Sequence, residues 1–443
     1  MKRIFYFLTL IVAIASCQDD DSFSTSTGTK LQFSVDTLKL DTVFSKTPSS
    51  TYSFWVHNRN NDGIRLSSVR LGKGNQTGFR VNVDGTYLDN NNGSQAHDLE
   101  IRRKDSILVF VELTAPMTAR QEPTVVEDRL VFVMESGQEQ SVCLYAWAWD
   151  AVKLYSPVID RDSVIQSEVP IVVYGDFRIN EGATLTLKNT MLYFHDGAGM
   201  EVYGNLDAND CLMRGDRLDR MFSYLPYDRV SGQWKGINIY TSSNSNRLIN
   251  TKIRNSVQGV VFESESVDTT QCRLYMKDCV VHNCQGPGVK ATNANIRLEG
   301  CQISNTLGDC LSVSGGMTEV SYCTLAQFYP FSADRGVALR FSSQAFPLLR
   351  LDCEGSILTG YEEDVVMGEQ GSDASVAFNY AFRHCLLRTP AVTDDGHFSD
   401  IIWETPNDSI QGKQHFVRID EENLDYDFHL DAKSPAQGLG CYR

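Results

Sequence analysis

The sequence predicts an all-β protein in two parts, a sandwich of short strands followed by a stacked parallel solenoid. Three observations predict it. Cys279, Cys301 and Cys323 recur at a spacing of 22 residues, and a fixed period in the twenties marks a coil-on-coil architecture. Apolar and polar residues alternate with period two in segment after segment, each closed by Gly, Asn or Asp. The composition agrees: 443 residues carry 32 Gly but only 12 Pro, with 42% hydrophobic and 22% charged, a globular and turn-rich balance. That length leaves room for two to three domains.

The N-terminus comes first in chain order. Lys2 and Arg3 precede an apolar stretch, Ile4 to Ala15, that is too short to span a bilayer and fits a signal-peptide core. It ends Ile14-Ala15-Ser16-Cys17, which resembles a lipobox, so residues 1–17 read as a lipoprotein signal with Cys17 as the lipidated residue. Gln18-Asp19-Asp20-Asp21 resembles the acidic export signal of Bacteroidota surface lipoproteins, and residues 18–30 read as a flexible Ser/Thr-rich tether. Six tripeptides resemble the O-glycosylation sequon of the same phylum: those beginning at Asp36, Asp41, Asp105, Asp162, Asp268 and Asp408. These resemblances imply an outer-membrane location, anchored by lipid and facing the exterior.

Residues 31–152 show no repeat. Short alternating segments (31–35, 52–57, 79–83, 106–113, 128–133 and 142–149) lie between Asn/Gly/Pro-rich loops. Six or seven strands in about 120 residues suggest an immunoglobulin-like sandwich. Cys143 is its only cysteine, so an intersheet disulfide is excluded. Trp147 and Trp149 are expected either to cap the first coil or to divide between the sandwich core and its exterior.

Residues 153–390 carry the coils. Two places after each cysteine of the series stand Val281, Ile303 and Leu325; Thr251, Gly355 and Cys385 extend the column, which reads as an inward-facing strand. Asn255, Asn283 and Asn305 follow four places after their anchors and predict a turn whose amides bond from rung to rung. A second strand then opens at Gly259, Gly288 and Gly336. About ten coils of about 22 residues give a stack about 50 Å long, and parallel crossovers favour a right-handed winding. The region resembles the pectate-lyase-like superfamily: Gln233-Trp234-Lys235-Gly236-Ile237 is similar to its recurrent W-x-G-I coil. Asp427 to Ala436 is similar to a terminal segment of many such proteins, and residues 391–443 read as a C-terminal cap or tail. Stacked one per rung, Cys279, Cys301 and Cys323 form a line of small buried side chains rather than a metal tetrahedron, so no metal and no cofactor are expected.

Catalytic signals are sparse. Asn305 to Val313 resembles the paired-Asp strand of polygalacturonase-type hydrolases, in which two carboxylates share the work. Here Gly308 replaces the first Asp of the pair, and the repeat explains the remainder. A lyase would need a base and a cation to neutralise a uronate; Lys235, Arg254, His282 and Arg335 are the candidates, with His282 expected on the coil exterior and Arg335 paired with Asp334. The run Glu362-Glu363-Asp364 reads as a solvated face.

A net charge of −16 argues against nucleic acid. Two insertions break the period and mix aromatics with Pro and charge. Loops on a rigid scaffold are where function is grafted, so Tyr224, Tyr227, Trp234, Phe328, Tyr329, Phe331 and Arg335 are the candidate ligand-binding residues. The expected function is non-catalytic binding of a glycan or an outer-membrane protein. A divergent polysaccharide lyase or glycoside hydrolase is the first alternative, and an accessory subunit of an outer-membrane complex the second.

Overall fold

The structure is a computed structural model that describes residues 22–220, 226–392 and 396–443. Cys17, the first residues of the tether and Tyr224 lie outside the described residues. The chain divides into two compact units, Met1–Asp150 with Leu218–Ser223, and Ala151–Arg217 with Tyr224–Arg443.

The first unit is a β-sandwich of two five-stranded sheets. One sheet holds Gln32–Phe33, Tyr52–His57, Ser106–Leu113, Phe79–Val83 and Thr86–Tyr87; the other holds Thr37–Phe44, Glu139–Trp149, Thr124–Met134, Ile64–Leu71 and Gln95–Ile101. That makes ten strands rather than six or seven. The inner faces meet in one core containing Phe54, Leu66, Phe79, Phe132 and Leu144. Residues two apart in a strand point the same way, so Trp147 and Trp149 share a face while Ala146 and Ala148 fill the core. Both tryptophans therefore lie outside the sandwich core, contrary to a division between inside and outside. Trp149 stacks on Phe44 at 6.2 Å and donates Nε1–H to the Gln121 carbonyl at 2.7 Å.

The second unit is a parallel β-helix whose coils stack into sheets of eleven, nine and ten strands. The cysteine column is in register: Val280 pairs with Gln302 and Gln302 with Thr324, so Cys279, Cys301 and Cys323 stack one above another, all buried. Each thiol donates to backbone carbonyls; Cys279 reaches Leu248 at 3.2 Å and Cys301 reaches Met276 at 3.5 Å. Beyond Thr324 the ladder runs through Ile357 to Leu386. Ser356 therefore occupies the position expected for Gly355, because the insertion before it hides the count. The second strand likewise opens after Ala338, two residues past Gly336, since Leu311 pairs with Leu339.

The three turn asparagines adopt left-handed backbone, with φ of 62° at Asn255, 64° at Asn283 and 54° at Asn305, a conformation Asn tolerates better than most residues. Their amides do not bond from rung to rung. Asn255 donates to the Asp228 carbonyl at 3.0 Å and Asn283 to that of Arg229, tying down the loop that precedes Trp234.

The stack runs further than expected at its end: Phe398–Ser399 and Ile402–Trp403 form a last rung. The chain beyond Trp403 is no end cap. The hairpin of Phe416–Asp420 and Asp425–Leu430 folds back along the outside of the eleven-stranded sheet. Phe416, Phe428, Ala436 and Leu439 pack there on Ala326, Phe328, Ile357 and Leu386 in a second core.

Candidate functional site

The outward rows of the eleven-stranded sheet set the chemistry on its flank. Tyr193, Arg214, Arg254, His282 and Ser304 stand in successive register, as do Leu212, Lys252, Val280 and Gln302 two residues earlier. Over these rungs the C-terminal hairpin leaves a cleft of about 290 Å³, near the lower end for small-ligand sites. The rungs form its floor, Asp228 and Arg229 one wall, and Tyr426, Phe428, His429 and Tyr442 the other.

The cations of the cleft differ in how they are held. Arg214 donates to the carbonyls of Gly215 (3.1 Å), Arg217 and Asp228 (both 2.9 Å). Arg229 donates to those of Asn423 and Leu424 at 2.6 and 3.1 Å. Lys252 and Arg254, on the same strand face, make no side-chain hydrogen bond or ion pair among the described residues. Burial pulls the pKa of Arg214 and Arg254 down from the ordinary arginine value, yet guanidinium remains charged in proteins. The acids, by contrast, are engaged: Asp425 pairs with Arg418 at 3.0 Å, Asp427 with His429 at 2.6 Å and Asp228 with Arg229 at 3.8 Å.

His282 sits half-buried on the floor. Its Nδ1 lies 2.9 Å from Ser304 Oγ, and its ring meets Tyr426 and Phe428 at 5.3 and 6.2 Å. Burial, with the Arg254 charge adding to it, lowers its pKa to about 3, so it is neutral at ordinary pH and a weak base. Tyr442 donates to Gln302 Oε1 at 2.8 Å, and burial raises its phenol to about 12.

Most of the residues singled out in the sequence lie elsewhere. Trp234 is 1% exposed, stacks on Phe194 at 4.3 Å and bonds to the Arg254 carbonyl at 2.8 Å. It is core, because the W-x-G-I segment turns its ring inward. Phe328 is fully buried against Tyr361 and Phe416. Tyr329 is buried with its hydroxyl 2.9 Å from Ser231 Oγ. Neither Phe328 nor Tyr329 presents a ring face to solvent. Tyr227 is half-buried under Arg217, whose guanidinium lies 4.0 Å from the ring centre. Among the described candidates only Phe331 is exposed, and it reaches the cleft rim. Arg335 pairs with Glu362 at 3.4 Å, not with Asp334, and covers Tyr361 at 4.6 Å. Lys235 pairs with Asp176 at 2.7 Å. Of the four candidate bases only Arg254 and His282 meet in the cleft.

The hydrolase-like segment is structural. Asp309 accepts from the Val337 N–H at 2.9 Å and pairs with Arg340 at 3.0 Å. A Cβ at Gly308 would fall 2.7 Å from the Gly286 carbonyl carbon, so no carboxylate fits where the partner would stand. Among the described residues no group of three His, Cys, Asp or Glu is placed to hold a metal ion.

Lys252, Arg214 and Tyr442 were missed in the sequence. Residues 252 and 254 flank the inward Ile253, which marks their outward direction, but nothing in the sequence says that residues 424–442 return to cover them.

The family described as a right handed beta helix region matches residues 172–325. Among solved structures, the chain is similar to the catalytic unit of the thermostable GH87 alpha-1,3-glucanase from Streptomyces thermodiastaticus strain HF3-3, with 11% identity and a TM-score of 0.32 over 80% of this chain and 90% of that one. It is also similar to the Agl-KA catalytic domain, with 12% identity and a TM-score of 0.30 over 81% of this chain and 73% of that one. No curated protein sequence matches the chain.

Proposed function

We propose that this chain is a non-catalytic glycan-binding protein of a bacterial outer membrane, lipid-anchored through Cys17 and facing outward. In this reading the flank cleft receives an acidic saccharide. One observation carries it: Lys252 and Arg254 stand side by side without protein partners on the cleft floor, in a chain whose net charge is −16. Both side chains are exposed, so their charges are free to meet a ligand, and a carboxylate or sulfate is the complementary group. Tyr426 and Tyr442 add ring surface for the sugar body.

The anchor and export signals rest on the sequence alone, as does a glycosylated state. The hydroxyl residues of all six sequons are unburied, as modification requires. An accessory role in an envelope complex is compatible with the same anchor.

The catalytic alternative, a divergent lyase or hydrolase, draws on Arg254 and His282 sharing the cleft. With a pKa of about 3, His282 is poorly matched to proton abstraction near neutral pH, which favours binding. Retention of the purified chain on polyuronate and sulfated-glycan gels tests the reading. Lys252→Ala with Arg254→Ala should abolish retention, whereas unchanged retention, or release of unsaturated product by the wild type, overturns it. For the anchor, Cys17→Ser should leave the membrane fraction; continued sedimentation with membranes refutes lipidation.

A further inference from the structure

The sandwich carries an outer face that nothing so far explains. On the sheet containing Tyr52–His57 and Ser106–Leu113, three large aromatics point to solvent: Trp55 is 46% exposed, Phe110 41% and Tyr87 47%. Exposed aromatics gathered on one face mark an interaction surface more often than chance.

Strand register sets out the pattern. Ser53, Phe110, Asn82 and Tyr87 form one row across four strands. Trp55 lies opposite Leu108 in the row on one side, and Glu112 opposite Arg80 in the row on the other. Strands lie about 5 Å apart, so Phe110 and Tyr87 are roughly 10 Å apart, with Trp55 diagonal to Phe110 one strand away. A hollow of about 270 Å³ is lined by Thr51, Arg80, Asn82, Tyr87, Phe110 and Glu112. Apolar ring faces thus alternate with amide, hydroxyl, guanidinium and carboxylate groups. The Thr51 hydroxyl bonds Glu112, and Arg80 makes no side-chain hydrogen bond or ion pair among the described residues.

We infer that this face is a second saccharide site, for a neutral glycan. A sugar ring has an apolar C–H face and an equatorial rim of hydroxyls. The first suits stacking on Trp55, Phe110 and Tyr87; the second suits Arg80, Asn82 and Glu112, which supply donors and acceptors beside those rings. The hollow's one cation and one carboxylate balance, so it offers no net field to attract an acidic chain, unlike the cleft over Lys252 and Arg254. Rings set at multiples of the strand spacing match an extended oligosaccharide lying across the strands. The site is independent of the cleft and stands whether or not the acidic-glycan reading holds.

Affinity electrophoresis of the full-length protein through gels containing cellulose derivatives, xylan, mannan, starch or chitin oligomers tests it. The wild type should be retarded on at least one. Phe110→Ala and Tyr87→Ala should each weaken that retardation about tenfold with the melting curve unchanged, as surface substitutions allow. Trp55→Phe keeps a ring, so it should retain binding while losing the ligand-induced change in tryptophan fluorescence. Lys252→Ala with Arg254→Ala should leave neutral-glycan retardation intact. Absence of retardation on every gel overturns the inference, as does retardation that survives loss of Phe110 and Tyr87. Concentration-dependent self-association that those two substitutions abolish would reassign the face to a second copy of the chain and overturn it equally.

Discussion

Gly236 has a φ of +101°, and a Cβ there would fall 1.7 Å from the Gln258 carbonyl oxygen of the next coil. The glycine of the W-x-G-I segment is a packing requirement. Gly236→Ala should cost well over about 1 kcal/mol, read as a lower denaturant midpoint at unchanged m-value. Trp234 illustrates how a residue's chemistry misleads without its direction. Aromatic and beside an insertion, it suggests sugar stacking, yet its ring is stacked on Phe194 inside the helix. Trp234→Ala should destabilise by about 3–5 kcal/mol, so loss of ligand binding in that variant would report on folding. His282 gives a pH signature. Its pKa falls from 6.5 to about 3 on folding, so between those values the unfolded chain binds more protons and acid destabilises the fold. The contribution is present above pH 6.5 and lost as pH falls toward 3. His282→Gln should flatten the dependence of melting temperature on pH across that window.

Individual coils are legible wherever the chain keeps strict count. Cys279, Cys301 and Cys323 lie one rung apart, and every inward position around them follows by addition. Between Leu212 and Lys252, and between Thr324 and Ile357, consecutive rungs are separated by loops of a length the repeat does not set, which is why Gly355 falls one residue, and Gly336 two residues, short of the positions the register occupies. A one-residue slip exchanges inner and outer faces, so an insertion costs more than a gap in the alignment. Ile303, buried at 0% exposure, lies within the strict stretch; Ile303→Asp should remove cooperative melting by burying an unpaired charge, and a normal transition would displace the register. The C-terminal segment is held differently. Arg388 and Glu404 form an ion pair with side chains 8% and 1% exposed, and Glu404 also meets His415 Nε2 at 3.2 Å and Thr359 Oγ1 at 2.8 Å. Burial alone would raise the Glu404 pKa, but these bonds and the Gly412 N–H hold it below the usual range. Glu404→Ala strands the Arg388 charge and should cost about 3–5 kcal/mol, visible as new limited-proteolysis cuts beyond residue 404.

For the molecule, composition excluded more than it identified. A chain of net charge −16 still concentrates Arg214, Arg229, Lys252 and Arg254 around one cleft, an inversion that bulk charge cannot reveal because residues some 200 positions apart in sequence supply the walls. If that cleft holds an anion, its affinity should fall as salt rises from low to physiological concentration, whereas neutral-glycan retention on the sandwich face should not. The return of the hairpin was equally hidden: its apolar residues read as a generic tail until their partners on the sheet flank are known. All eleven cysteines among the described residues are free thiols, even where Cys353 and Cys385 bring their sulfurs to 3.9 Å. The spine of the stack is thus held by packing and thiol-to-carbonyl contacts with no covalent rivet. Dithiothreitol should leave melting unchanged, and recombinant chain made in a reducing bacterial cytosol should reach the same disulfide-free fold as chain that has crossed into an oxidising compartment.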